Sequence, residues 1–257
     1  YFQGEFFLPK NGAPSTHIVK PSGTGDLSSL AVNEYICTQL ARIAALPVAP
    51  AEIRMIEDQL VFITERYDRH LEGDRISRMH QEDMCQALGI MSDFKYQNDG
   101  GPGLTDIYQL IKQKCSVPLL GTRSFIQYAL FNLIIGNCDA HGKNYSFLYS
   151  GDSVKLAPIY DVVCTLLYPS LTQKVSMKFG KPYQIKKIKQ SDIAAWATEI
   201  GLRPSLILGL FADLREKILK GIGPLRDNGL PTGNEDMQSA YLQTLSSIEK
   251  SIAERSL

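Results

Sequence analysis

The sequence predicts an α+β chain of two lobes: a small mixed lobe of strands and one helix over residues 1–67, and a larger, mainly helical lobe over residues 68–257. Three observations lead there. Short apolar runs broken by turn-forming stretches fill the first seventy residues, the pattern of strands. A single longer stretch among them carries apolar residues at helical spacing. Beyond it, helical spacing dominates, interrupted by one hairpin around "SGDS".

In the small lobe, "EFFL" and "STHIVK" read as strands on either side of "PKNGAP". The opening "YFQGEFFL" reads equally as strand or as the remnant of a cleaved tag, and nothing further rests on it. After the loop "PSGTGD", the stretch "LSSLAVNEYICTQLARIAAL" has apolar residues at 27, 30, 31, 40, 43 and 44. Asp26 is its expected N-cap, and the helix ends before Pro47. "AEIRMI" and "LVFITERY" flank the tight turn "EDQ" as a hairpin.

In the large lobe, "SRMHQEDMCQALGIM" is expected to be a helix capped by its serine. "LTDIYQLIKQK" and "TRSFIQYALFNLIIG" follow as helices. The latter puts Phe125, Ala129, Leu130, Leu133 and Ile134 on one stripe and stops at Gly136, a residue suited to the position after a helix end. "YSFLY" and "VKLAP" form the second hairpin. "SDIAAWATEIG" and "PSLILGLFADLREKILKGIG" return to helix, and "GPLRDNGLPTGNED" is expected to link them to a last helix. The stripe of that helix, Met237, Tyr241, Leu245, Ile248 and Ile252, reads as core, as does the lone Trp196.

Composition narrows the function classes. Lys plus Arg (27) equals Asp plus Glu (27), so the chain has no global pull toward nucleic acid or an acidic membrane, and an anionic ligand must be held locally. Five cysteines at 37, 85, 115, 138 and 164 form no CxxC pair, which fits reduced thiols and a cytoplasmic location. Four histidines without cysteine partners give no zinc pattern. The longest apolar run, "YALFNLIIG", is too short to span a bilayer, so no membrane association is expected.

The chemistry concentrates in "GNCDAHGKNYSFL", residues 136–148. Asp139 and Asn144 lie five apart after a helix end. In phosphoryl transfer of the kinase type, an Asp accepts the acceptor hydroxyl's proton and an Asn five residues on holds magnesium, which prefers hard oxygen ligands. A second metal acid is expected after the following hairpin. Asp161, in "IYDVV", stands there, seventeen residues past Asn144, though no Phe-Gly follows it. Upstream, Lys20 ends a strand and is the candidate grip on phosphate, with Glu34 on the next helix as its partner. The strand "LVFITERY" then leads Glu65, Arg66 and Tyr67 to the adenine of ATP. Each residue also has a plainer reading. Asp139 reads as a helix-end acid, Glu34 as a helix-face charge, and Glu65 as a partner of Arg66 or Arg69. His141 reads as loop support or a phosphate contact, and Lys143 as a solvated cation or a neutraliser of transferring charge. The ordered set, not any one member, carries the signal.

The segments "GAPSTHIVKP", "NEYICTQLA", "ITERYDR", "HQEDMCQALG", "FNLIIGNCDAHGKNYSFL", "LAPIYDVVCT" and "SMKFGKPYQI" resemble, in order, the HipA-type serine/threonine kinase toxins over roughly residues 12 to 200. The resemblance implies a bilobed protein-kinase-like fold using ATP and magnesium (Mg). It implies Asp139 as catalytic base, Asn144 and Asp161 as metal ligands, Lys20 as phosphate grip and Glu65 to Tyr67 as adenine hinge. It implies the toxin of a toxin–antitoxin system, linked to growth arrest and persistence, that phosphorylates a protein substrate such as an aminoacyl-tRNA synthetase. Its partner would be an antitoxin of the same operon, with DNA reached only through that antitoxin. Family members begin with an N-terminal subdomain and a Gly/Ser-containing phosphate loop, neither of which stands ahead of residue 5. The expectation is a short member whose N-terminal part is a separate small protein, or a longer chain. Two competing readings remain at this level: a small-molecule phosphotransferase of the aminoglycoside or choline type, which shares the Asp-x-His-x-x-Asn loop, and a non-catalytic, kinase-shaped partner of an antitoxin.

Overall fold

The structure is a computed structural model that describes residues 7–10, 12–57, 59–73, 75–231, 233 and 235–255. Strand β1 (His17–Pro21) pairs antiparallel with β3 (Gln59–Glu65), and β3 pairs on its other edge with β2 (Ala51–Ile56), giving the order β1-β3-β2. The central strand buries Val61, Phe62 and Ile63, as a strand flanked on both edges should. Against this sheet packs α1 (Leu30–Ile43). Its residues Ala31 to Thr38 are all buried, because its opposite faces meet two C-terminal helices as well.

The chain then forms the hairpin β4 (Arg69–Glu72) and β5 (Arg75–Arg78). Strand β6 (His80–Asp83) joins β7 (Ser146–Ser150) and β8 (Ser153–Leu156) in a second three-stranded sheet, order β6-β7-β8. Among the described residues six further helices complete the fold: α2 (Met84–Ala87), α3 (Leu104–Lys114), α4 (Pro118–Ile135), α5 (Gln190–Glu199), α6 (Pro204–Asn228) and α7 (Glu235–Glu254). One continuous core runs from α1 and Phe62 through α3 and α4 to α7. The α7 stripe is buried as expected at Tyr241, Leu245, Ile248 and Ile252, and Trp196 is buried against Phe179. All five cysteines are free and buried. Among the described residues no helix is long and apolar enough to cross a membrane.

Four expectations are corrected. Of "EFFL", Glu5 and Phe6 lie outside the described residues, while Phe7 and Leu8 are exposed and pair with no strand. Asp26 does not cap α1. It sits in a separate 3-10 turn, Gly25–Leu27, and accepts a hydrogen bond from Ser170 Oγ instead. Of the helix expected over "SRMHQEDMCQALGIM", residues 77–78 and 80–83 are strand and only Met84–Ala87 is helix. A capping box starts helix only at residue 84, where Asp83 Oδ1 accepts from Gln86 N and Gln86 Oε1 accepts from Asp83 N, both at 2.9 Å. Finally, α6 runs on through Pro224 to Asn228, so the link begins at Gly229. Burial of Ile218, Gly221 and Ile222 on the same helix outweighs the one backbone hydrogen bond that a proline forgoes.

The capping assignment is testable. Asp83→Ala is expected to lower folding stability by about 1 kcal/mol, read as a reduced urea midpoint. Ser77→Ala, at the cap position expected from sequence, should leave the midpoint unchanged.

Candidate active site

Helix α4 delivers the loop 136–144. Its end is set by Gly136 at φ 80°, where an added Cβ would stand 2.8 Å from Leu166 Cδ1. The Arg255 guanidinium donates to the last carbonyls of α4, Leu133 O at 2.7 Å and Ile134 O. Asn137 donates through Nδ2 to Asn132 Oδ1 (2.9 Å) and to Asp161 O (3.3 Å), and accepts from Asp139 N at 3.1 Å. Cys138 N donates to Thr165 Oγ1, and Cys138 O accepts from Ser176 N and Oγ. His141 and Asn144 close a single turn: His141 N donates to Asn144 Oδ1 at 3.0 Å, and Asn144 N donates to His141 O at 2.9 Å.

Asp161 arrives from the segment after β8. That segment is tied to the first sheet by a parallel bridge between Val48 and Ile159, with Ile159 N donating to Pro47 O. Asp161 adopts a left-handed backbone, φ 57°, uncommon for a residue with a side chain. Its Oδ2 accepts from Asn144 Nδ2 at 2.8 Å, and its Oδ1 accepts from Lys20 Nζ at 2.6 Å. The same ammonium donates to Glu34 Oε1 at 2.7 Å. Glu34 is carried by α1, whose neighbouring Asn33 pairs through its amide with both Cys164 N and Cys164 O. Three separate segments thus meet at one cation, and a fourth reaches it through Asp161.

The charges adjust accordingly. Burial pushes the Glu34 carboxyl up to about 7, outweighing the opposing pull of Lys20. Burial also acts to raise Asp161, but Lys20 and the hydrogen bonds from Lys20 and Asn144 hold its carboxyl below the ordinary range. Burial works against the Lys20 ammonium, yet two carboxylates keep it above its usual value. Asp161 is the ionised partner of the pair, and Glu34 the one that holds a proton to near neutrality.

These groups line a pocket of about 300 Å³, together with Glu65, Arg66, Tyr67, His141 and Lys143. A larger hollow of about 660 Å³, bounded by Leu166, Lys186 and Arg255, contains none of the expected site residues. Arg66 does not pair with Glu65. Its guanidinium binds the Asp68 carboxylate at 3.1 and 3.0 Å, and Arg69 binds the same carboxylate at 2.5 Å. Tyr67 packs its ring 5.4 Å from that of Tyr160, whose hydroxyl donates to Lys143 O. His141 is buried, its Nδ1 has no hydrogen-bond partner among the described residues, and burial lowers its pKa.

Asp139 stands apart from the pocket lining. It is exposed, and its Oδ1 accepts from Tyr96 OH at 2.8 Å. Sequence reasoning missed Tyr96, Asp68, Asn33 and Asn137. Asn33 carried a usable signal, an amide in the middle of a stretch whose neighbours all read as buried helix.

No cluster of three or more His, Cys, Asp or Glu side chains suited to a metal occurs among the described residues. Asp161 and Asn144 are nevertheless adjacent and both carry hard oxygens; Asn144 turns Nδ2 to Asp161 Oδ2, and among the described residues its Oδ1 accepts only from His141 N. That donor set fits magnesium.

The family described as the HipA-like C-terminal domain matches residues 4–222. The chain belongs to this HipA-like family. A putative kinase Y4mE of Sinorhizobium fredii is 37% identical over 205 residues, covering 79% of this chain and 49% of the relative. The serine/threonine-protein kinase toxin HipA of Shewanella oneidensis is 31% identical over 230 residues, covering 85% and 52%. This HipA-like chain therefore spans about half the length of these curated relatives. Among solved structures, Shewanella oneidensis HipA in complex with HipB and operator DNA matches with a TM-score of 0.85 and 28% identity, over 93% of this chain and 58% of that one. The Helicobacter pylori proinflammatory kinase CtkA matches in fold, with a TM-score of 0.57 and 14% identity over 94% and 92%. The HipA-like chain has the expected α+β, kinase-like fold.

Glu34 gives a signed pH dependence. The folded chain keeps a proton up to about 7 that the unfolded chain releases near 4.5, so this group's contribution to stability declines as pH rises between those values. Glu34→Gln is expected to flatten that decline, measured as urea midpoints of both proteins across the same range.

Proposed function

We propose that the chain is the catalytic part of an ATP- and magnesium-dependent serine/threonine protein kinase that acts as the toxin of a toxin–antitoxin pair. One observation carries the reading. Lys20 bridges Glu34 and Asp161 at 2.7 and 2.6 Å, with Asn144 on the other oxygen of Asp161, inside a pocket walled by Glu65 to Tyr67. A lysine held by a helix glutamate and facing a loop aspartate is what phosphoryl transfer requires for gripping phosphate oxygens.

In this mechanism the adenine lies against the backbone of Glu65 to Tyr67, and Lys20 holds phosphate oxygens while Glu34 and Asp161 fix its ammonium. Asn144 and Asp161 would hold magnesium, which when bound neutralises charge on the phosphates. The buried His141, whose Nδ1 lacks a protein partner, faces the pocket and is available to the terminal phosphate. Lys143, on the same wall, offsets charge developing on the transferring group. Asp139 accepts the proton of a Ser or Thr hydroxyl as that oxygen attacks the γ-phosphorus and ADP leaves. Positioning and charge stabilisation supply most of the acceleration.

The protein-hydroxyl acceptor is supported by the relative named a serine/threonine-protein kinase toxin. Within that reading the substrate is an aminoacyl-tRNA synthetase, whose modification would arrest translation. The match to a HipA–HipB–operator complex supports an antitoxin partner through which DNA is reached indirectly.

Two outcomes are expected. Asp139→Asn should lower transfer of labelled phosphate from ATP to proteins of the host lysate by about 10²- to 10⁴-fold, with ATP affinity retained; unchanged transfer removes Asp139 from the mechanism. ATP should raise the thermal midpoint more with magnesium than without, and Asp161→Ala should abolish the difference. A non-catalytic partner would show no metal-dependent gain in either protein.

A further inference from the structure

We propose that Tyr96 is a positioning residue for phosphoryl transfer: its hydroxyl clamps one oxygen of Asp139 and so presents the other to the acceptor hydroxyl. This assignment rests on Asp139 being the catalytic base.

Asp139 is exposed, and an exposed carboxylate on a loop samples several rotamers unless something holds it. Tyr96 OH donates to Asp139 Oδ1 at 2.8 Å, and among the described residues no group donates to Oδ2. One oxygen is fixed and one is open, the arrangement a base needs to meet an incoming hydroxyl. The Tyr96 ring also stands edge-on to His141, with centroids 5.3 Å apart, and Lys95 Nζ lies 5.0 Å above it. The tyrosine therefore touches both polar residues of the "DAH" step at once.

The segment around Tyr96 is built to hold it still. Tyr96 O accepts from Asp99 N at 3.0 Å and Gly101 N at 2.8 Å. Only glycine fits at 101, since an added Cβ would lie 2.3 Å from Phe94 O. The residues on either side of Tyr96 are then stitched to the loop on either side of Asp139. Lys95 O accepts from Gly142 N at 3.3 Å, and Gln97 N donates to Ser176 O, whose own N and Oγ donate to Cys138 O. Lys178 N closes the frame on Gln97 Oε1 at 2.8 Å. Burial, then the Asp139 carboxylate, pushes the phenol up to about 12, so it remains a donor.

The test compares Tyr96→Phe with wild type in the full chain, with labelled ATP and host lysate as the acceptor pool. Phenylalanine keeps the ring against His141 and removes only the hydroxyl. The saturating-ATP rate is expected to fall roughly ten- to a hundredfold, the scale of a hydrogen bond to a charged group, while KM for ATP stays unchanged and the thermal melt still shows a folded chain. In the Asp139→Asn background the same substitution should cost nothing more, because the oxygen it orients is gone. An unchanged rate, or an equal loss in both backgrounds, overturns the assignment. A faster Tyr96→Phe also overturns it, and would mean that the phenol competes with the acceptor. A wild-type chain that labels nothing would overturn the kinase reading itself, whereas an active wild type with an indifferent Tyr96→Phe overturns only the role of Tyr96.

Discussion

A single ammonium group shared between two carboxylates organises this molecule. Lys20 comes from β1, Glu34 from α1 and Asp161 from the segment after β8, and each contact is 2.7 Å or less. Two acids around one cation leave the cluster short of positive charge. The protein answers by letting the more buried acid, Glu34, keep its proton toward neutrality and by reserving the charge for Asp161, which opens onto the pocket. With that proton kept, Asp161 balances the ammonium, and the carboxamide of Asn144 donates to its other oxygen.

That arrangement needs distant segments held to within tenths of an ångström, and buried amides do the holding. Asn33 links α1 to Cys164, Asn137 links the loop to Asp161 O and to Asn132, and Asn144 links the loop to itself and to Asp161. An amide donates and accepts at once, so each satisfies two buried groups that would otherwise be unpaired. Arg255 extends the same logic from the far end of the chain by capping α4 just before the loop.

The helices with strong apolar stripes were legible because their burial is one-sided and periodic; α3 and α7 fall where the spacing puts them. The same holds for the β2–β3 hairpin. The fold brings Asn144 to Asp161 and leaves Asp139 outside the pocket lining. What was not legible depended on partners far away in sequence. Strand β6 is polar, "HQED", and is a strand only because β7, some sixty residues on, pairs with it. Helix α6 passes through Pro224 because its packed face outweighs a local breaker. Tyr96 lies in a loop without periodicity, and only the folded chain brings it to Asp139, 43 positions away. Arg66 and Arg69 both bind the buried Asp68, a preference over Glu65 that sequence adjacency does not signal.

The buried thiols carry a consequence of their own. Cys138 directly precedes Asp139, sits 1% exposed, and burial pushes its pKa up to about 11. Alkylating reagents attack the thiolate, so in the closed loop this sulfur is shielded both by access and by protonation. Modification of this sulfur would require the segment bearing Asp139 to part from Thr165 and Ser176, so its rate would measure the free energy of that opening.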